Sequence, residues 1–285
     1  MQEEIALQLV SASRVSLGQR AALLNAAYAD YFIPIRLTTE QVELMDRDYD
    51  VDPVRSIVAR TRWECIGQGL LALRGQRGWI SGVGVVPAWR GKGVARALMH
   101  RLIEEAAEAG AHVVTLEVVT RNTAARRLYQ SLGMTEGREL LIWQRPASAD
   151  PLPVPQARLK FCPPDELLDY FAGWHSQPAS WQREEPSLRR MAGRLIGYRL
   201  DLLGRPAAYC LVGIGDDVIS LVDVGLNPEA GPLTPGRSLL QALSLRYVGH
   251  ALSITNVPVN DDLNRILAAL GFVVTLRQVD MSLAL

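Results

Sequence analysis

Two stretches of this chain, RNTAARRLYQSLGM and VNDDLNRILAALGF, lie nearly half a chain apart and share one pattern. Asn122 precedes Gly133 by eleven residues in the first, and Asn260 precedes Gly271 by eleven in the second. Upstream of them, WISGVGVVP at 79–87 matches VISLVDVGLNP at 218–228, with two extra residues in the second copy. From Ile80 to Asn122 is 42 residues, and from Ile219 to Asn260 is 41. Two matched segments in the same order predict a duplicated domain. Independent strand–helix–strand patterning in each half is the alternative. Between the copies runs RPASADPLPVPQARL, with prolines at 146, 151, 153 and 155. That density of proline continues neither a helix nor a central strand, and reads as a stiff extended linker. The expected organisation is a first domain at 1–145, a Pro-rich linker at 146–156 and a second domain at 157–285.

Hydrophobic periodicity gives the elements of the first half. Ile5–Val10 reads as a strand. Leu17–Phe32 reads as a helix with Leu23, Leu24, Ala27 and Tyr31 on one side. Thr39–Asp46 reads as a second helix, where Thr38 and Gln41 have capping-box spacing. Cys65–Leu73 and Trp79–Val86 read as strands joined by the RGQRG turn. Val94–Ala109 is a helix stopped at Gly110, His112–Thr120 a strand, Thr123–Leu132 a helix stopped at Gly133, and Leu140–Gln144 a final strand. Helices interleaved with hairpins imply an α/β fold on a mixed, mostly antiparallel sheet flanked by helices in each domain, not a regular doubly wound one.

Bulk properties remove several function classes. Apolar residues are 48% of the 285, enough for a sizeable core, and the formal net charge is zero. A zero net charge argues against broad nucleic-acid binding, which needs a large basic surface. Cys65, Cys162 and Cys210 form no CxxC pair, and an odd count makes a poor disulfide framework, so a reducing cytoplasm is expected. The start MQEEIALQLV lacks a basic-then-apolar signal pattern. No apolar run approaches the roughly 20 residues of a membrane span. His100, His112, His175 and His250 are scattered without ligand spacing, so no metal is expected.

The chemistry concentrates in GVGVVPAWRGKGVARALMHRLIEE, at 82–105. An apolar strand stops at Pro87, a basic glycine-rich turn follows, and a helix begins. A helix N-terminus presents unpaired N–H groups and a partial positive charge, and glycines allow a turn that other residues resist. Such a turn holds phosphate, and Arg90 and Lys92 add charge. A solvated turn with a glycine start would read the same way. A nucleotide P-loop needs a hydroxyl after the lysine, but Lys92 is followed by Gly93. The dinucleotide pattern GxGxxG fails in both registers, where Pro87 or Arg96 stands at the third glycine.

What does fit is the [QR]xxGx[GA] turn of the GNAT superfamily of N-acetyltransferases, which Arg90-Gly91-Lys92-Gly93-Val94-Ala95 resembles. The NTAARRLYQSLGM stretch also resembles that family's second signature, NxxAxxLYxxLGF. Asn122, Ala125, Leu128, Tyr129, Leu132 and Gly133 fall in place, while Met134 replaces the usual aromatic. The resemblance covers most of residues 1–145. It implies that the amides of Arg90, Gly91, Lys92, Gly93, Val94 and Ala95 hold the pyrophosphate of acetyl-CoA, the acyl donor. Val85 and Val86 would pair with its pantetheine arm, and Asn122, which also suits a helix N-cap, would contact it. Tyr129 matches the family's general acid. On a helical wheel Ala124, Leu128 and Leu132 form the apolar stripe, and Tyr129 lies about 100° from Leu128, pointing away from the core. Glu117, in HVVTLEVVT, resembles the base of ribosomal-protein acetyltransferases. An exposed position on a half-solvated strand is the competing reading. By the same likeness the loop ADYFIPIRLTTEQ, with Tyr31, Phe32 and Arg36, lines an acceptor pocket.

The second copy has leucine, Leu267, where the first has Tyr129. It keeps Gly236 near a helix start but has Leu233 three residues before it. Pro232 and Pro235 lack amide donors. A degenerate, non-catalytic GNAT-like domain is expected, completing the acceptor pocket or standing in for a dimer partner, so that the protein is either a monomer with a pseudo-dimeric domain pair or a homodimer. The expected activity is acetyl transfer from acetyl-CoA to a small-molecule or peptide amine by direct attack in a ternary complex. The expected partners include neither nucleic acid nor membrane. The alternative is a non-catalytic acyl-CoA-binding regulatory or assembly module.

Overall fold

The computed structural model of the chain describes residues 7–32, 35–147 and 158–285. The start of the expected first strand, at Ile5 and Ala6, and most of the expected linker, 148–156, lie outside the described residues.

In chain order the elements are β1 (Gln8–Ser11), α1 (Leu17–Ala27), α2 (Thr39–Asp48), β2 (Ile57–Arg60), β3 (Cys65–Arg74), β4 (Arg77–Val85), α3 (Val94–Glu108), β5 (Val113–Val119), α4 (Thr123–Ser131) and β6 (Thr135–Arg145). There follow β7 (Leu159–Cys162), α5 (Pro164–Leu168), α6 (Glu185–Met191), β8 (Ile196–Leu202), β9 (Arg205–Ile214), β10 (Val218–Leu226), α7 (Leu233–Arg246), β11 (Ala251–Pro258), α8 (Leu263–Ala269) and β12 (Val273–Ala284). Local chemistry explains several boundaries. Thr38 and Gln41 form the expected capping box at α2, and Ser16 and Gln19 form another at α1. The short strand β2 is not apparent from periodicity. α1 ends at Ala27, five residues earlier than expected. The C-cap Tyr28 is half-buried, and its hydroxyl donates to the Val83 carbonyl at 3.1 Å.

The chain forms two compact units, residues 1–137 with 280–285, and residues 138–279. In the first unit β1, β2, β3 and β4 pair antiparallel in turn and β5 joins parallel to β4. Next to β5 come the last residues of β12, tied by the Leu285 amide to the His112 carbonyl at 2.9 Å. In the second unit the order is β7-β8-β9-β10-β11-β6, with β6 antiparallel to β11 and β12 beside β6. Each half of the sequence thus gives part of its last strand to the other unit. Both sheets are mixed and flanked by helices, as the sequence predicts.

α3 buries Val94, Leu98, Met99, Leu102 and Ala106 on one face, the 3.6-residue spacing of an amphipathic helix. It lies close to β3 because Gly69 has no side chain; a Cβ there would stand 2.5 Å from a Leu102 methyl. In the second unit Leu239, Leu240 and Leu243 of α7 cover the sheet through Cys210, Val212 and Leu252.

A fork between two strands positions the site. β4 and β5 pair only where Arg77–Trp79 faces Val113–Thr115. Beyond that point the β3–β4 register slips between Gln68 and Leu70, and Gly82 takes a φ of 59°. Such a bulge bends and twists its strand, and β4 swings off β5. The second unit repeats this: β10 and β11 pair only through Val218–Ser220 and Ala251–Ser253, and a bulge follows between Leu221 and Asp223. The equal lengths of β4 and β10 and their matching parallel rungs set Arg77 against Val218 and Val85 against Leu226. The two extra residues read into the second strand are therefore not an insertion there. The length difference falls in the turn after it. Four residues, Arg90–Gly93, separate the 3-10 turn Pro87–Trp89 from α3; two, Gly231 and Pro232, separate Pro228–Ala230 from α7.

Candidate active site

Gly91 and Gly93 have φ of 74° and 82°, in the left-handed region that side chains resist. Gly93 is the N-cap of α3, and no side chain caps that helix, in contrast to α1, α2 and α4. The first-turn N–H groups, which no helix can satisfy internally, therefore stay available to an anion. They border a cleft of about 390 Å³ lined by Val83, Val85, Gly91, Gly93, Val94, Ala95 and Arg96 on one side and by Ala125, Leu128 and Tyr129 of α4 on the other.

The expected cations divide differently from the sequence reading. Arg90 does not lend a free charge to this cleft. Its guanidinium is bidentate to Asp30 at 2.7 Å and also donates to the carbonyls of Ala27 and Val85 at 3.0 and 3.1 Å. It clamps the end of α1 to the end of β4. Lys92 sits with its ammonium 4.7 Å from the Trp89 ring. Arg96, which the motif did not single out, lines the cleft and donates to the Ser131 hydroxyl at 2.8 Å. Its first-turn position was the available signal.

Of the two valines, only Val85 lines the cleft. The Val86 amide donates to the Ile66 carbonyl at 2.9 Å, and its side chain packs on the cluster of Ala12, Leu23 and Val58. Val83 and Val85 alternate with it and turn their backbones to the fork, where Tyr28 and Arg90 take their carbonyls.

A second, smaller cavity of about 80 Å³ lies in the fork, lined by Tyr28, Tyr31, Ser81, Glu117, Asn122 and Tyr129 among others. Tyr129 lines both spaces. It is the buried residue of α4, 7% exposed, whereas Ala124 is exposed and Leu128 and Leu132 are half-buried. The apolar stripe expected for α4 is thus corrected: the helix turns its tyrosine inward, because the fork offers a cavity there. Burial, and then the neighbouring Tyr31, push the Tyr129 phenol well above its ordinary value, so it stays protonated.

Glu117 is half-buried and accepts a hydrogen bond from the Trp79 indole at 2.7 Å. Asn122 is the N-cap of α4, accepting from the Ala125 amide at 3.2 Å, and it also hydrogen-bonds Tyr31. Burial raises the Tyr31 phenol, and the Asn122 bond offsets part of that. Tyr31 lies edge-on to Tyr28 and Phe32, at 4.8 and 5.1 Å. Phe32 is exposed under the Arg121 guanidinium, and Arg36 is exposed and lines neither space. Residues 33–34 of this loop lie outside the described residues. Tyr28 and Trp79 escaped the sequence reading because nothing local marks a tyrosine or tryptophan as a site residue.

The second unit has the same fork with different contents. Its turn is two residues shorter, Pro235 removes a first-turn N–H, and Gly236 is buried against Leu226 and Ile266. Leu267, fully buried, stands where Tyr129 does. The Leu226 amide, on the fork edge like that of Val85, donates to the Trp174 carbonyl at 2.9 Å, so the unit's own chain occupies the edge. Below it, fully buried Asp223 accepts from His175 at 3.0 Å, Arg183 at 3.1 Å and Tyr209 at 2.8 Å.

Among the described residues no helix is long and apolar enough to cross a membrane. Residues 21–134 match the family model of the acetyltransferase (GNAT) family. An L-methionine sulfoximine/L-methionine sulfone acetyltransferase of Salmonella typhimurium is 47% identical over 51 residues, 18% of this chain and 30% of that enzyme. The L-amino acid N-acyltransferase MnaT of Escherichia coli is 45% identical over 49 residues, 17% of this chain and 28% of that enzyme. The matched stretches thus span less than a third of these curated relatives. Over nearly the whole chain the fold is that of a tandem GNAT protein from the clavulanic acid biosynthesis pathway (TM-score 0.74, 19% identity, 98% of both chains). It is also that of a GCN5-related N-acetyltransferase from Sphaerobacter thermophilus (TM-score 0.73, 17% identity, 98% of this chain and 95% of that one). The first unit is thus similar to the GNAT acetyltransferase family over residues 21–134, and the chain as a whole has the fold of tandem GNAT proteins.

Proposed function

We propose that the first unit transfers an acetyl group from acetyl-CoA to a primary amine, of a small molecule or a peptide, by direct attack in a ternary complex. The observation that carries this reading is the place of Tyr129, a protonated phenol on the wall shared by the cleft and the fork cavity. A module that only bound an acyl-CoA would need the cleft and not the tyrosine. The uncapped N-terminus of α3, the open turn at Gly91 and Gly93, and the charges of Lys92 and Arg96 suit a pyrophosphate. The fork edge at Val85 suits the amides of a pantetheine arm. Acetyl-CoA supplies the thioester as acyl donor. The acceptor enters the fork cavity, where Glu117 takes a proton from its ammonium. A Lys-type amine with a pKa of about 10.4 is almost wholly charged at neutral pH, so this step gates attack. The amine nitrogen bonds the thioester carbon, the carbon–sulfur bond breaks, Tyr129 gives its proton to the departing sulfur, and the surplus proton left on the nitrogen restores the phenol as the neutral amide forms. Cys65, Cys162 and Cys210 line neither space, in keeping with transfer without an acyl-enzyme. The second unit, with its shortened turn, Leu267 and self-occupied edge, is a non-catalytic partner domain in this reading. A cytoplasmic setting rests on three cysteines that are all free thiols.

Calorimetric titration with acetyl-CoA tests the reading at its base. One site per chain is expected, followed by acetylation of at least one member of an amine panel. Absence of binding would overturn it. Two sites would restore a cofactor role to the second unit. Binding without turnover on any amine would favour the non-catalytic module.

A further inference from the structure

We propose that the acceptor of the first unit is a small amine that also carries a carboxylate, and that Arg121 is the residue that selects it. This rests on the reading of the fork cavity as the acceptor site. The cavity, about 80 Å³, holds an amine and a few carbons, so the rest of an acceptor lies on its rim. On one side that rim has two layers. The inner layer is Tyr31 with Asn122, which are half-buried, hydrogen-bond to each other and both line the cavity. The outer layer is formed by their chain neighbours, Phe32 and Arg121. Phe32 is 42% exposed, and the Arg121 guanidinium carbon stands over its ring, 5.5 Å from the centre. An acceptor that extends past Tyr31 and Asn122 meets this pair next.

Arg121 suits an anion for two reasons. Its charge is unspent: among the described residues nothing accepts a hydrogen bond from it and no carboxylate pairs with it. The other cations around the two spaces are engaged, Arg90 with Asp30, Arg96 with Ser131 and Lys92 over Trp89. Its setting is also right. A ring beneath a guanidinium restrains it and leaves N–H groups at its edge, which bond a planar carboxylate in parallel. A phosphate of the cofactor is not the partner in this reading, since Arg121 does not line the cleft.

The second unit supplies a comparison. The repeat that matches Asn122 with Asn260 sets Val259 at the position of Arg121. The copy that has Leu267 in place of Tyr129 lacks the rim cation as well.

The test uses the full chain, acetyl-CoA and three amino acids with a growing spacer, L-alanine, β-alanine and γ-aminobutyrate, each against its own amide. Rates are compared per neutral amine, because amidation changes the amine pKa. In the wild type at least one acid exceeds its amide by about tenfold in kcat/KM, the scale of a charge-assisted hydrogen bond. In Arg121→Gln that ratio falls to about one through the KM of the acid. The rate on the amide and the acetyl-CoA affinity in calorimetry stay as they were. Arg121→Lys, with a charge but no planar fork, keeps only part of the ratio. If every amide reacts as well as its acid in the wild type, or Arg121→Gln keeps the preference, the inference is overturned and the acetyltransferase stands. The same holds if other amines are acetylated but none of these acids is. If acetyl-CoA binds and no amine of any kind is acetylated, the acceptor reading itself falls, and this inference with it. Should Arg121→Gln not fold, Arg121→Lys decides, and an undiminished ratio there overturns the role of Arg121.

Discussion

At the scale of the residue, burial rather than proximity sets the chemistry of the key groups. The phenol of Tyr129 is raised first by desolvation, so it enters any reaction as a protonated donor across the usual assay range. Tyr129→Phe should lower kcat by about 100-fold, the usual contribution of a positioned acid, with acetyl-CoA binding unchanged in calorimetry. Loss of binding together with rate would instead mark the tyrosine as a wall. Asp223 shows the opposite balance. Burial pushes its carboxyl up, but the charges and hydrogen bonds of His175, the Arg183 charge and the Tyr209 hydroxyl outweigh it and hold it down at about 2. A carboxyl depressed on folding contributes stability that is present above its unfolded value of about 3.9 and lost as pH falls towards 2. His175 is raised against its own desolvation by Asp223, so its contribution is present below about 6.5 and lost as pH rises through the raised value. Thermal unfolding of the second unit should therefore be most resistant between about pH 4 and 6.5. Asp223→Asn should cost about 3 kcal/mol at pH 6, because it leaves His175 and Arg183 buried without their anion. A flat melting profile across this range would contradict the account.

At the scale of the element, α3 is the informative case. The helix is amphipathic and would form from its sequence alone, but its N-terminus is open because Gly93, not serine or asparagine, is the cap. Gly93→Ala has room for the methyl, with nothing within 4 Å, yet must hold a φ of 82°. Its cost is backbone strain of about 1–2 kcal/mol. The expected result is a turn that relaxes, with acetyl-CoA affinity reduced at least tenfold and the helix intact by circular dichroism. Unchanged affinity would remove the turn from the binding surface. α4 makes the complementary point. Its N-cap Asn122 was legible, because the cap is a local hydrogen bond to the Ala125 amide. Its inward face was not, since a wheel counts apolar side chains and the fork cavity receives a phenol.

At the scale of the whole molecule, each half of the sequence lends residues of its last strand to the unit that the other half forms. Residues 280–285 belong to the first unit, where Leu285 bonds to His112 and the Ser282 carbonyl accepts from Thr135. Deleting 280–285 should lower the melting temperature of the first unit and weaken acetyl-CoA binding, although the deleted residues lie far from the binding turn in sequence. A fragment cut at residue 145, the boundary that the prolines suggest, should show the same defect. Full binding by either would mean that the added strand is dispensable.

The sequence by itself determined what depends on neighbours along the chain. These are the capping box at Thr38 and Gln41, the glycine turn at 91–93, the helix periods, the duplication and the family signature. Only the tertiary structure decided what depends on residues brought together from afar. Arg90 meets Asp30 across 60 positions, so its charge is spent on a clamp. Trp79 meets Glu117 across 38, and residues 280–285 join the first unit from the far end of the chain. Hydrogen bonds within a turn are encoded by spacing. A side chain's long-range partner is set by which strand faces which, and pairing rules favour many such arrangements almost equally until the core closes around one.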